Sequence, residues 1–140
     1  AEGYRISVKG NRVSWYKSKA KDYSYKTFRA YLDVVFAYAG TLSLAKELTS
    51  VPVTSMQIGD VLIQGGSPGH AVIVVDMAEN PATGEKLYLL AQSYMPAQDI
   101  QVLVNPKERD KSPWYTLKRM GNILTPEWRF TSADLKRFKN

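Results

Sequence analysis

The stretch Gly59–Asp76, GDVLIQGGSPGHAVIVVD, decides how this chain is read. Asp60–Gln64 is a short apolar run, and His70–Met77 is a longer one rich in valine and isoleucine. Between them Gly65-Gly66-Ser67-Pro68-Gly69 can extend neither a strand nor a helix. Two apolar runs of strand length divided by turn chemistry predict two neighbouring strands. At the mouth of the second stands His70, the only histidine in the chain.

Downstream, Glu79–Glu85 contains Pro81 and Gly84 and predicts a turn. Leu87–Ser93 returns as a strand, and Ile100–Val104 follows as another, ended by Asn105-Pro106. A charged loop (Lys107–Ser112) and two aromatic segments, Ser112–Tyr115 and Thr125–Phe130, come next. A short helix is expected from Ser132 to Phe138. Upstream, Tyr4–Val8 and Arg12–Tyr16 alternate about Lys9-Gly10-Asn11, a hairpin pattern. Lys17–Lys26 is a basic connector in which Ser24 can cap a helix.

Thr27–Gly40 is the strongest helix, and Leu42–Leu48 predicts a shorter one. The apolar residues of the first (Phe28, Tyr31, Leu32, Val34, Val35, Phe36, Tyr38) cover more than one face, so burial is expected. The chain therefore reads as α+β: a buried central helix packed on an antiparallel sheet. Its 140 residues, 44% of them hydrophobic, predict a single domain over 1–140.

Composition narrows the chemistry. There is no cysteine, so thiolate nucleophiles and thiolate metal sites within this chain are excluded. One histidine excludes a histidine-rich metal centre, and no acidic calcium loop occurs. No metal or cofactor is expected. No apolar run reaches the roughly 20 residues of a transmembrane helix. The net charge of +6 is uneven. Residues 1–30 hold eight Lys/Arg and two acids, 31–100 two Lys and seven acids, and 101–140 nine Lys/Arg and four acids. Basic flanks can meet an anionic surface or simply be solvated. Zinc-finger spacing, ribonucleoprotein aromatics and a basic zipper are all missing, so no specific nucleic-acid partner is expected.

Several residues could build a site. The glycines before His70, Gly66 and Gly69 among them, let a ligand approach the backbone closely. Across the sheet, Gln92 and Ser93 are candidates to hydrogen-bond the imidazole. Tyr94 and Gln98 add hydrogen-bonding groups suited to an amide-rich or sugar ligand. Equally, His70 can bond a neighbouring carbonyl as a structural residue. Trp114, Tyr115 and Trp128 can stack on sugars or complete the core. Ser93 has no nucleophile-elbow context. The carboxylates Asp33, Asp60 and Asp76 form no evident catalytic pair.

Three pieces resemble the NlpC-type cell-wall endopeptidases, a compact branch of the papain-like fold. Thr27–Gly40 follows the outline of the family's nucleophile helix. Ile58-Gly59-Asp60-Val61 follows its Pro-Gly-Asp strand, and Gly69-His70-Ala71-Val72 its histidine strand. The family's third polar residue falls on Gln92 or Ser93. The resemblance places the nucleophile at Phe28, which has no lone pair to attack a carbonyl. It thus implies a papain-like domain without its nucleophile, binding a peptide or glycan such as a cell-wall fragment. His70, Gly69, Gly66, Gln92, Ser93, Tyr94 and Gln98 would line the groove, with Phe28 as its floor.

A longer resemblance runs through GDVLIQGGSPGHAVIVVDMA, LLAQSYMPAQDIQVL, SPWY and TPEW. These strings are similar to an uncharacterised family of exported bacterial proteins known only as a domain of unknown function. That resemblance implies an exported, periplasmic or envelope-associated protein of which this is the C-terminal portion. Two alternatives stand beside the binding domain. One is an NlpC-like hydrolase whose nucleophile lies outside this chain or goes unrecognised. The other is a structural or interaction module. The oligomeric state is not legible.

Overall fold

A computed structural model of the protein describes residues 3–10, 12–17, 20–94, 96, 98–119 and 121–139. Contacts divide the chain into two units, Ala1–Ala39 and Gly40–Asn140.

In the first unit β1 (Tyr4–Lys9) and β2 (Arg12–Lys17) form the expected antiparallel hairpin, with Val8 opposite Val13 and Ile6 opposite Trp15. Gly10 takes φ +57°, a conformation that costs glycine little and other residues more. Helix α1 (Tyr25–Tyr38) is capped by Ser24, whose Oγ accepts from the Thr27 amide at 3.3 Å. Asp22 braces the cap: its carboxylate accepts from the Thr27 hydroxyl at 2.6 Å and from the Ser24 amide at 2.8 Å. Those bonds, the Thr27 hydroxyl first, hold the Asp22 pKa down at about 2. A carboxylate depressed on folding stabilises above its unfolded pKa and loses that effect as pH falls through the folded one. Asp22→Asn should therefore weaken the α1 helical signal above pH 4, by an amount that shrinks as pH falls toward and through about 2, as circular dichroism across an acid titration would record.

The expected burial of this helix is corrected. None of the residues of α1 is buried, and Phe28, Tyr31 and Phe36 are all exposed. The physical reason is the size of its unit, since some 40 residues enclose too little volume for a core of their own.

The second unit begins with α2 (Thr41–Glu47), followed by β3 (Thr49–Ser50), a 3-10 turn (Val53–Ser55) and β4 (Val61–Gln64). Strands β5 (His70–Glu79), β6 (Lys86–Gln92), β7 (Gln101–Val102) and β8 (Tyr115–Thr116) come next. A small separate hairpin, β9 (Ile123–Leu124) and β10 (Arg129–Phe130), precedes β11 (Leu135–Arg137). The main sheet has seven strands, antiparallel at every pairing among the described residues, in the order β3-β11-β4-β5-β6-β7, with β8 pairing β6 beside β7. The molecule is thus mixed α and β with a mostly antiparallel sheet.

Each side of the sheet has its own covering, because side chains alternate along a strand. Val61 and Ile63, with Ala71, meet Leu44 and Ala45 of α2. The other side carries Leu62, Val72, Val74, Tyr88 and Leu90, packed with Ile123, Phe130 and Leu135. Gln64 and His70 are cross-strand partners two residues beyond the Leu62–Val72 pair, so they continue this second side. The β5–β6 register shifts between Val74 and Asp76, a bulge at Val75.

The expected C-terminal helix is also corrected. Ser132–Asp134 makes only one 3-10 turn, and Leu135–Arg137 is a strand inserted between β3 and β4. Leu135 pairs with Leu62 and is fully buried, a gain no short terminal helix could match. Arg137 then reaches Asp60, making two contacts of 2.6 and 2.9 Å with a carboxylate that is 1% exposed. Asp60 also accepts from the Gln57 amide at 3.0 Å.

Candidate functional site

His70 opens β5 and Gln92 closes β6. The register that pairs Ile73 with Ala91 puts Gln92 and Tyr94 on the side of the sheet that carries His70. The imidazole Nε2 lies 2.6 Å from Gln92 Oε1, and Gln92 Nε2 donates to Glu127 Oε2 at 2.7 Å. Both His70 and Gln92 are buried.

The direction of this chain follows from its last member. An ionised carboxylate only accepts, so Glu127 must face the amide nitrogen of Gln92. The amide oxygen is thereby turned to the imidazole, and Nε2 must carry the proton. A neutral His70 then has its lone pair on Nδ1. Among the described residues no fully buried side-chain nitrogen or oxygen lacks a partner. Among the described residues no hydrogen bond to Nδ1 is seen. Glu127 thus sets which nitrogen of His70 accepts, acting through Gln92.

Aromatic rings hold the imidazole from three directions. Tyr94 meets it edge-on at 5.2 Å, Trp128 lies tilted at 5.5 Å and Phe130 stacks at 6.0 Å. Trp128 is fixed in turn by Gln64, the cross-strand partner of His70, whose Oε1 accepts from the indole at 2.9 Å. Gln64 Nε2 donates to the Arg129 carbonyl and to Asp134. The β9–β10 turn is closed by Thr125, which bonds Trp128 through both its amide and its hydroxyl. That closure presents Glu127 and Trp128 side by side toward β5 and β6.

Glu127 also lines an open cleft of about 670 Å3 with Gln98, Asp99 and Gln101. The cleft wall is made of amides and carboxylates, rich in acceptors. Among the described residues no three His, Asp or Glu side chains converge to hold a metal ion.

The structure brings together His70, Gln92 and Tyr94, and puts Gln98 on the cleft that Glu127 shares. Ser93 is exposed, just past the end of β6. Gly65 and Gly69 face α2, at Ala45 and Thr41 respectively. A Cβ on Gly65 would come within 2.9 Å of Ala45 Cβ, and one on Gly69 within 2.7 Å of the Gly66 nitrogen. They let the loop cross tightly over the helix. Gly66 lies in the same loop, where an added Cβ would meet the Pro68 carbonyl oxygen at 2.9 Å. Phe28 is on α1 in the first unit, where it lines a cleft with Thr27 and Tyr31. Sequence reasoning missed Glu127 and Gln64. The signal for Glu127 was its place in TPEW, an acid beside a tryptophan in a proline turn.

No curated protein and no solved structure matches the chain. The likeness to NlpC-type endopeptidases finds no support there. A family match extends over residues 1–137. The chain belongs to the family described as Domain of unknown function (4846).

Proposed function

We propose that the protein is a binding domain without catalytic activity, taking a peptide or glycan ligand, with cell-wall fragments as the candidate class, in the cleft beside His70. One observation carries the reading: Glu127 both lines the cleft and is joined through Gln92 to the buried imidazole. A ligand N–H or O–H that bonds Glu127 competes with the Gln92 amide, and the change is relayed to His70. Amide and hydroxyl donors suit a cleft walled by acceptors. An envelope setting, which the family likeness implies, would supply such ligands.

The test follows the single imidazole by NMR during titration with muropeptides. A saturable shift of the His70 ring signals is expected, and Gln92→Ala should abolish it while weakening affinity about tenfold, the value of a hydrogen bond to a charged group. A His70 signal that stays still in excess muropeptide would remove the cleft as their site.

A second reading is favoured by the tautomer. An imidazole oriented through Nε2 by an amide, with no partner on Nδ1 among the described residues, is arranged as a general base lacking only a nucleophile. In that reading the fold is papain-like, and a thiol or hydroxyl arrives from outside residues 1–140. Muropeptide cleavage by the natural protein, lost on His70→Gln, would establish it; cleavage that survives the substitution would sink it.

A further inference from the structure

The β1–β2 hairpin carries an unusual charge pattern. From Gly3 to Lys21 the sequence has six Lys or Arg and no Asp or Glu. Four of the cations, Arg5, Lys9, Arg12 and Lys17, belong to the hairpin strands. The pairing register places Tyr4, Ile6 and Val8 on one face with Val13, Trp15 and Lys17, and Arg5, Lys9 and Arg12 on the other. That face is open: Trp15 is 71%, Val13 58% and Tyr4 54% exposed. An isolated two-stranded hairpin is marginal in water, so a face of this kind gains by being covered.

From this we infer that the hairpin is a membrane-surface element that lays its apolar face on an anionic lipid bilayer. Aliphatic side chains at the middle of the face suit the acyl boundary, and tryptophan and tyrosine suit the headgroup level. Lys17, on that face, meets lipid phosphates directly, and Arg5, Lys9 and Arg12 on the other face add longer-range attraction to the anionic surface. Each alternative occupant fits less well. Nucleic acid would use the aromatic rings and the charge but leaves Ile6, Val8 and Val13 without a role. A second copy would bring together two hairpins whose strands each carry four cations and no acid. No described helix is long and apolar enough to cross a membrane, so the contact is peripheral.

The full chain would be mixed with vesicles of phosphatidylglycerol and phosphatidylcholine, and separately with phosphatidylcholine alone. Binding to the anionic vesicles is expected, with Trp15 quenched by brominated acyl chains and release at 1 M salt, where the screening length is about 3 Å. Lys9→Ala and Arg12→Ala should each weaken binding about fivefold. Trp15→Ser should remove the quenching while the His70 ring signals stay native. Four results would overturn the inference: equal binding to neutral vesicles, unchanged affinity in Trp15→Ser, a preference for a duplex oligonucleotide over vesicles, or concentration-dependent dimers that shield Trp15.

Discussion

Phe130→Ala will lower the unfolding free energy by about 3–5 kcal/mol, the cost of deleting a buried phenyl ring with limited collapse around the void. Phe130 is fully buried and belongs to the cluster that joins the main sheet to the β9–β10 hairpin. It also stacks on His70, so the same change frees one side of the imidazole. Urea unfolding followed by fluorescence measures the loss, with the midpoint moving and the slope unchanged. Line broadening of the His70 signals should accompany it. A loss under about 1 kcal/mol would mean that the hairpin does not close this side of the core.

Arg137→Leu is the second large effect. The substitution strips the counter-charge from a carboxylate that is 1% exposed and keeps only its bond from the Gln57 amide. Stranding the buried carboxylate lowers stability, and because the arginine side chain is partly exposed, water screens part of the loss, so a clear fall in the urea midpoint is expected. Asp60→Asn introduced on top should recover part of the loss, because it removes the stranded charge. If the double variant is no more stable than Arg137→Leu alone, the penalty comes from lost packing of the arginine stem. The pair joins residues 77 apart in sequence, so its loss should also loosen β11 in hydrogen exchange.

Local signals explain what was legible. The β1–β2 hairpin and strands β4, β5 and β6 follow from alternation or β-branched runs interrupted by glycine and proline, and each came within a few residues of its expected bounds. Ser24 as a cap followed from the same kind of short-range chemistry. β11 was hidden for an opposite reason. Thr131 and Asp134 form a reciprocal capping box, which reads as the start of a helix. Pairing of Leu135 with Leu62 overrides it, and a partner strand so far away in sequence leaves no local trace. The exposure of α1 was hidden too, since apolar residues around a helix say that it wants cover, not that cover is present. At the site, His70 and Gln92 could be matched because they sit on adjacent strands. Glu127 lies 35 residues beyond Gln92 on a separate hairpin, and only the folded turn brings it back.

The bulge at Val75 gives the long β5–β6 ladder a mechanical break. On one side are the residues that hold His70 in register. On the other, the strand ends run out to Glu79 and Lys86, joined by the exposed Asn80–Glu85 turn. A slip or length change in that outer segment can be absorbed where pairing is already irregular and need not invert the inner residues. The turn is therefore the natural insertion point of this molecule: a tag, a probe or a natural extension placed there would leave the imidazole undisturbed.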